Sequence, residues 1–366
     1  MNRLFVSAGE PSGDRHAASV VTALRHVIPD LTVDGVGGPR LAESGVELLE
    51  RSEGLSAMGL AEAAGVIPAH WRLLRAVERR VASHRYDAAI LVDYPGFHLR
   101  LAGALTARGV PVIYYIAPQL WAWGRWRFAT LRRCVRHLAV ILPFEEALFR
   151  EHGIPTTFVS HPLLDDPPSP DRDDARRRLG LTSFDRVLAL FPGSRPVEQR
   201  RHWEPFRDTA RRLCRDLPGL RVVVAGPALE LSTANSQFVF HDDARTVLAA
   251  ADVALCKSGT STLQAALANV PMVIAYRMHP LTFAVARRLV RVPHVGLVNL
   301  LAQRDVAPEC LQGQVRPAIL GQRIADLFEG EAVAARQREE FDGIRRALGT
   351  PGAARRVAEL TLRYAA

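Results

Sequence analysis

The sequence predicts an α/β protein of two doubly wound, Rossmann-like domains facing one another across a cleft, and three observations carry that expectation. Apolar, strand-like runs alternate with helix-compatible stretches along the chain. Several runs end in a Gly-containing loop that opens a helix, as VLALFPGSRPVEQRR (187–201) does. A Pro- and Asp-rich stretch, FVSHPLLDDPPSPDRDD (158–174), breaks the alternation and reads as a linker. A chain of 366 residues exceeds the comfortable size of one core. The expected organisation is 1–162, 163–340, and a terminal helix at 341–366 returning to the first domain.

Composition narrows the class. Hydrophobic residues make up 48% and charged residues 23%, near globular averages. The longest apolar runs fall short of a membrane-spanning length. The start, MNRLFVSAGEPSGD, lacks the apolar region and cleavage site of a signal peptide, so a cytoplasmic location is expected. Four scattered cysteines, Cys134, Cys214, Cys256 and Cys310, form no CxxC and have no His at ligand spacing; reduced structural thiols are expected. The net charge of +9 rests almost wholly on arginine, Lys257 being the only lysine. Without a basic tail, helix-turn-helix or RNA-binding aromatic signature, no nucleic-acid partner is expected, and an anionic membrane surface fits the charge better.

The elements follow in order. Residues 3–8 read as a buried strand ending in SAGEPSGD (7–14), with a helix to about His26. LTVDGVGGPRL (31–41) is a strand with a Gly-rich exit. The segment 55–85 mixes Met58, Leu60, Ile67, Trp71, Leu73 and Leu74 with Arg72, Arg75, Arg79 and Arg80. It suits either a membrane-surface helix or a core helix with a solvated basic face. DAAILVDYPGF (87–97) is a buried strand with Asp93 at its carboxyl end, where ligands sit in open α/β sheets. PVIYYIAPQLWAWGRWR (111–127) runs into an aromatic, basic loop whose Trp121, Trp123 and Trp126 are most simply packing. HLAVILPFEEALFREHGIP (137–155) is a strand, a turn at Pro143 and an amphipathic helix. After 158–174 come VLALFPGSR, an arginine-rich helix, LRVVVAG (220–226), FVFHDD and DVALCKSGTSTLQAALANVPMVIAYR (252–277). A helix near 281–291, the loop VGLVNLLA (295–302) and two terminal helices complete the chain.

The chemistry concentrates in a few loops. A helix start after a Gly loop presents backbone N–H groups to an anion, and at PGSR (192–195) Arg195 adds a guanidinium for a phosphate; an ordinary βα turn is the bland alternative. SGTSTLQ (258–264) is a second such start, with Ser258 and Thr260 as N-cap candidates. GxGxxG, Walker A, HExxH, EF-hand and GxSxG patterns are absent. A transferase without metal or cofactor remains, in which dipoles and Arg195 stabilise a departing diphosphate and a carboxylate, Asp93 or Glu10, deprotonates a hydroxyl. His16, His98 and His161 are assigned nothing.

Taken together the ordered motifs resemble those of lipid A disaccharide synthases, inverting transferases of the glycosyltransferase B fold. SAGEPSGD is similar to that family's AGExSGD, VDYPGFHLRLA (92–102) to IDxPDFNxxLA, and IAPQLWAWGRWR to SPSVWAWRxxR. LPFE (142–145), FVSHPL, FPGSR, SGTSTLQ against SGTxxLE, PMVIAYR, VGLVNLLA against SLPNLLA, and APECLQ against VPELLQ continue the series. The resemblance implies transfer from UDP-2,3-diacylglucosamine to 2,3-diacylglucosamine 1-phosphate (lipid X), giving a β-1,6-linked disaccharide 1-phosphate and UDP without a metal. It implies Asp93 as base and Glu10 as a second essential carboxylate. Arg195, Ser194 and Asn299 would serve the nucleotide-sugar side, with Ser258, Gly259, Thr260 and Gln264 around UDP. It also implies peripheral work at the cytoplasmic face of the inner membrane.

Four departures from the pattern stand out. Gly96 stands for the second Asp of IDxPDF, Gln264 for the Glu of SGTxxLE, and Gly124 for the Arg after WAW. Lys257 replaces a small residue and is expected to face solvent. A diverged paralogue with another UDP-sugar or lipid acceptor, and a non-catalytic basic membrane-binding protein, are the competing readings.

Overall fold

A computed structural model describes residues 1–51, 60–121, 124–226, 238–280, 282–283 and 293–365. The chain divides into two compact units, Met1–Asp166 with Leu348–Ala366, and Pro167–Ala347.

The first unit is a parallel sheet of β1 (Arg3–Ala8), β2 (Thr32–Gly37), β3 (Glu47–Arg51), β4 (Ala88–Val92), β5 (Val112–Tyr115), β6 (His137–Val140) and β7 (Thr156–Phe158). Its order is β3-β2-β1-β4-β5-β6-β7. Helices cover both faces, so the central strands are apolar on both, and all five residues of β4 are buried. The period of two divides β1: Leu4, Val6 and Ala8 pack with Val20, Val21 and Leu24 of α1 (Pro11–Val27), while Phe5 joins the opposite core. A short helix, α2 (Pro39–Glu43), follows β2.

In α3 (Leu60–Ser83), Leu73, Leu74, Val77 and Val81 are buried in that opposite core, while Trp71, Arg72, Arg75 and Arg79 are exposed. This half of the 55–85 segment therefore combines a core face with a solvated basic face; Met58 lies outside the described residues. Next come α4 (Pro95–Thr106), α5 (Phe128–Cys134) and α6 (Pro143–Glu151). The last helix of the chain, Ala353–Tyr364, buries Val357 and Leu360 beside the α1 face. Asp165 accepts from the backbone N–H groups of Gly352 and Ala354, and Arg356 donates to the Val159 carbonyl at 3.1 Å.

The second unit holds β8 (Arg186–Phe191), β9 (Leu220–Ala225), β10 (Phe238–His241), β11 (Val253–Lys257), β12 (Met272–Tyr276) and β13 (Glu309–Leu311), all parallel, in the order β10-β9-β8-β11-β12-β13. Leu188, Leu190, Val222, Val224 and Leu255 form its core with Trp203, Phe206, Ala210 and Leu213.

The stretch 158–174 is less irregular than its composition suggests. A 3-10 turn spans Pro162–Asp165, and α7 (Arg172–Arg178) begins within the stretch. Asp171 caps α7 through the N–H groups of Asp173 and Asp174, with acids in its first turn and arginines in its last, both favoured by the helix dipole. The expected helix near 281–291 lies outside the described residues apart from 282–283. Among the described residues, no helix is long and apolar enough to cross a membrane.

Each sheet has one point where strand order reverses, between β1 and β4 in the first and between β8 and β11 in the second. Ligands of open α/β sheets bind outside the carboxyl ends of the strands at such a point. SAGEPSGD and VDYPGF leave the first pair; FPGSR and KSGT leave the second.

Candidate active site

Ala8 of β1 lies opposite Val92 of β4, so the loops carrying Glu10 and Asp93 leave neighbouring strands at the same edge. Glu10 occupies the N-cap position of α1. Burial pushes the Tyr94 phenol up to about 12, with the Glu10 charge adding to the rise. Beyond β4 the backbone takes an uncommon course. Asp93 and Tyr94 both adopt left-handed conformations, with φ of +51° and +52°, and Pro95 then starts α4. Two consecutive non-Gly residues in that region cost about 1–2 kcal/mol each, so neighbouring contacts must hold them.

Those contacts converge on the Asp93 carbonyl. Tyr114 donates its hydroxyl to it at 2.6 Å, and His98 Nδ1 lies 2.6 Å away. Burial pushes His98 down to about 4, so its ring is neutral at pH 7. A carbonyl only accepts, so Nδ1 carries the proton; Nε2 is then an acceptor, and Ser7 donates to it at 2.8 Å. Sequence reasoning assigned His98 nothing, because its value depends on Ser7, 91 residues away.

Other buried polar groups brace this edge. Asp14 accepts from the backbone N–H groups of Gly38, Arg40 and Leu41, tying α1 to the start of α2. Glu145 accepts from Trp121 Nε1 at 3.0 Å and from the Leu142 N–H at 3.2 Å. Burial pushes its carboxyl up to about 7, the Asp93 charge adding to the rise and the donors opposing it. Trp121 thus has a polar partner beyond packing, and Trp126 is exposed at 69%; Trp123 lies outside the described residues. Gly96 is exposed, and a Cβ there would meet nothing within 4 Å. Beside it an open groove of about 560 Å³ is lined by Trp71, Leu74, Leu99, Arg100, Trp126 and Arg133, among others.

In the second unit, α8 (Pro196–Asp216) starts directly after PGSR, with Arg195 at its N-cap and no side chain capping its first turn. Gly193 has φ of +126°, and a Cβ there would stand 2.7 Å from the Cβ of Glu198, so the turn requires glycine. Ser194 is exposed and Arg195 half-buried. Glu198, in the first turn of α8, is the hub. Its Oε1 accepts from Lys257 Nζ at 2.8 Å and lies 3.5 Å from Arg195 Nη1. Burial alone would raise the Glu198 carboxyl, but Lys257 and Arg195 outweigh it and hold the pKa below its usual value.

Lys257 therefore does not face solvent as expected. Its side chain is 14% exposed and paired, with Nζ 5.7 Å from the Tyr276 ring centroid. The parallel pairing of β8 with β11 brings their carboxyl ends together, which no local pattern encodes. The local signal for Glu198 is an acid three residues after the N-cap.

KSGT leads into a further helix of this unit, Thr260–Leu267. Its N-cap is Gly259, with φ +153° and ψ −159°, a region essentially confined to glycine. Ser258 and Thr260 are not the N-caps expected: the Ser258 hydroxyl donates to the Val295 carbonyl at 2.8 Å, and Thr260 is the first helical residue. No side chain caps this helix either, which leaves its start suited to an anion. Gln264 sits half-buried in its second turn.

Asn299 differs from the expected ligand contact. It is fully buried, and its amide donates to the Ala307 carbonyl and Glu309 Oε1 while its oxygen accepts from the N–H groups of Val306 and Ala307. All four of its hydrogen-bonding positions are used within the protein. Glu309 also accepts from the N–H groups of Val295 and Gly296, so the pair shapes the loop that holds Ser258. Among the described residues, no group of three His, Cys, Asp or Glu is arranged to hold a metal.

A model of the lipid-A-disaccharide synthetase family matches residues 4–356. A lipid-A-disaccharide synthase of Myxococcus xanthus (strain DK1622) is 42% identical over 370 residues, covering 98% of this chain and 97% of its own. That of Geobacter sulfurreducens (strain ATCC 51573 / DSM 12127 / PCA) is 35% identical over 372 residues, covering 99% and 97%. Among solved structures, the glycotransferase of kitacinnamycin superposes with a TM-score of 0.66 at 17% identity, covering 100% and 99% of the two chains. MurG of Acinetobacter baumannii does so at 0.59 and 15%, covering 99% and 100%. At such identities the likeness concerns the fold, two Rossmann-like α/β domains.

Proposed function

The chain belongs to the lipid-A-disaccharide synthetase family and is a glycosyltransferase of lipid A disaccharide synthesis, and on that premise we propose that it joins UDP-2,3-diacylglucosamine to 2,3-diacylglucosamine 1-phosphate. The observation that carries the proposal is the division of chemistry between two switch points. Carboxylates stand at one, while two uncapped helix starts with Arg195 stand at the other.

In this reading Asp93 takes the proton from the acceptor 6-hydroxyl as its oxygen attacks the anomeric carbon of the donor. The bond from that carbon to the diphosphate breaks with inversion, and UDP leaves with the electron pair. The charge developing on the leaving group meets backbone N–H groups around Ser194 and at Gly259 and Thr260, together with Arg195. Glu10, at the N-cap of α1, orients the acceptor sugar beside Asp93. Gln264 accepts from a ribose hydroxyl, and Ser258 and Asn299 act by holding the 295–309 loop in place.

The groove beside Gly96 takes acyl chain, and the exposed Trp71, Arg72, Arg75 and Arg79 rest on an anionic membrane surface; the mixed aromatic and basic composition supports both assignments. Purified protein supplied with UDP-2,3-diacylglucosamine and lipid X should release UDP and form the disaccharide 1-phosphate, with Asp93→Asn at least 100-fold slower, as roughly expected for a lost base. Folded protein that forms no disaccharide would refute the substrate assignment. Full activity of Asp93→Asn would refute the base assignment.

A further inference from the structure

Resting on the reading of Asp93 as the base, we infer that His98 is a positioning residue for it: with Tyr114, it grips the Asp93 carbonyl and so sets the direction in which the carboxylate is held. Four observations carry this. The two donors occupy the Asp93 carbonyl at 2.6 Å each, matching the two lone pairs a carbonyl offers. The gripped peptide is the one joining two left-handed residues, Asp93 and Tyr94, whose backbone needs outside support. Ser7 donates to the far nitrogen of the imidazole, so the ring presents its N–H toward Asp93 and not away from it. The Tyr94 carbonyl in turn accepts from the His98 N–H at 3.0 Å, so the first turn of α4 and the strained turn before it close on each other.

The imidazole is completely buried and has no access to substrate, so its action is through Asp93. Without this donor, rotation about ψ of Asp93 and φ of Tyr94 relaxes the turn and re-aims the Cα–Cβ bond. A misplacement on the order of 1 Å costs a transfer reaction about 100-fold. The family pattern quoted above has Asn where this chain has His98, and Asn also offers an N–H donor.

The test compares full-length His98→Leu, His98→Asn, Tyr114→Phe, Asp93→Asn and the double variant His98→Leu/Asp93→Asn, reading kcat and both KM values. His98→Leu should lower kcat about 30- to 100-fold with each KM within about 3-fold, the pattern of a group felt only in the transition state. His98→Asn should recover most of that loss. The double variant should be no slower than Asp93→Asn alone, because a positioning residue has nothing left to position; independent effects would multiply. If His98→Leu does not fold, Tyr114→Phe, which removes one hydroxyl and little volume, should still lower kcat about 5-fold at unchanged KM. Wild-type kcat in His98→Leu, or in Tyr114→Phe when His98→Leu fails to fold, overturns the inference while leaving the base assignment intact. So does a double variant showing the full product of the two losses. An active Asp93→Asn overturns both.

Discussion

Replacing Lys257 with Met tests the hub of the second unit, because it removes the cation and keeps most of the side-chain volume. Glu198 is 7% exposed and, without the 2.8 Å contact with Lys257, still has the Arg195 guanidinium at 3.5 Å and the Arg195 backbone N–H. Removing one partner of a buried ion pair costs about 3–5 kcal/mol. The remaining guanidinium offsets part of that cost and places the expected loss below the range, at about 2–3 kcal/mol at pH 7. For a unit of this size that corresponds to a fall in Tm of about 4–12 °C. The loss must also depend on pH. The depressed Glu198 pKa contributes stability that is present above the unfolded value of 4.5 and lost as pH falls through the folded pKa. The Met variant lacks most of that contribution, so its deficit should be largest at neutral pH and shrink below about pH 4.5. Urea unfolding of wild type and Lys257→Met, each from pH 4 to 8, measures both quantities. A deficit under about 1 kcal/mol, or one that stays constant across the range, would refute the assignment of Lys257 as the partner that keeps Glu198 ionised. Glu198→Gln added to the Met variant should restore part of the loss, since the buried carboxylate is then gone.

Acid should weaken the first unit through its buried histidines. His98 is pushed down to about 4 and His161 to about 3, against 6.5 in the unfolded chain. Between those values the unfolded state binds protons that the native state refuses, so stability falls as pH drops below 6.5, by at most about 1.4 kcal/mol per pH unit for each ring. Circular dichroism melts from pH 7.5 to 4.5 should show this decline; a flat Tm would contradict the burial of neutral rings. At the donor side, Gln264→Glu restores a charged acceptor, roughly twice as strong as a neutral one, and should lower the donor KM several-fold with the acceptor KM unchanged. An unchanged donor KM would remove Gln264 from the ribose contact.

The α/β class was legible in the sequence because it depends on short-range chemistry. Strands buried on both faces must be apolar throughout, as AAILV at 88–92 and VLALF at 187–191 are, and each is followed by a residue set that starts a helix, PGF or PVE. Loops with Gly where the backbone takes a positive φ, Gly193 and Gly259, were equally visible, since no other residue adopts those angles without cost. The family motifs were readable for the same reason, being contiguous.

What the tertiary structure decided is which groups meet. The strand order that sets Glu10 beside Asp93 and PGSR beside KSGT arises from pairing β1 with β4 and β8 with β11, across segments no local pattern links. Lys257 looked solvent-facing because Glu198 is 59 residues away in sequence. Ser258 resembled an N-cap because the Val295 carbonyl that claims its hydroxyl lies 37 residues on. Asn299 resembled a ligand residue until four internal hydrogen bonds accounted for its amide. A buried polar side chain takes the partner that spares it the cost of desolvation, and that partner is chosen by the fold as a whole.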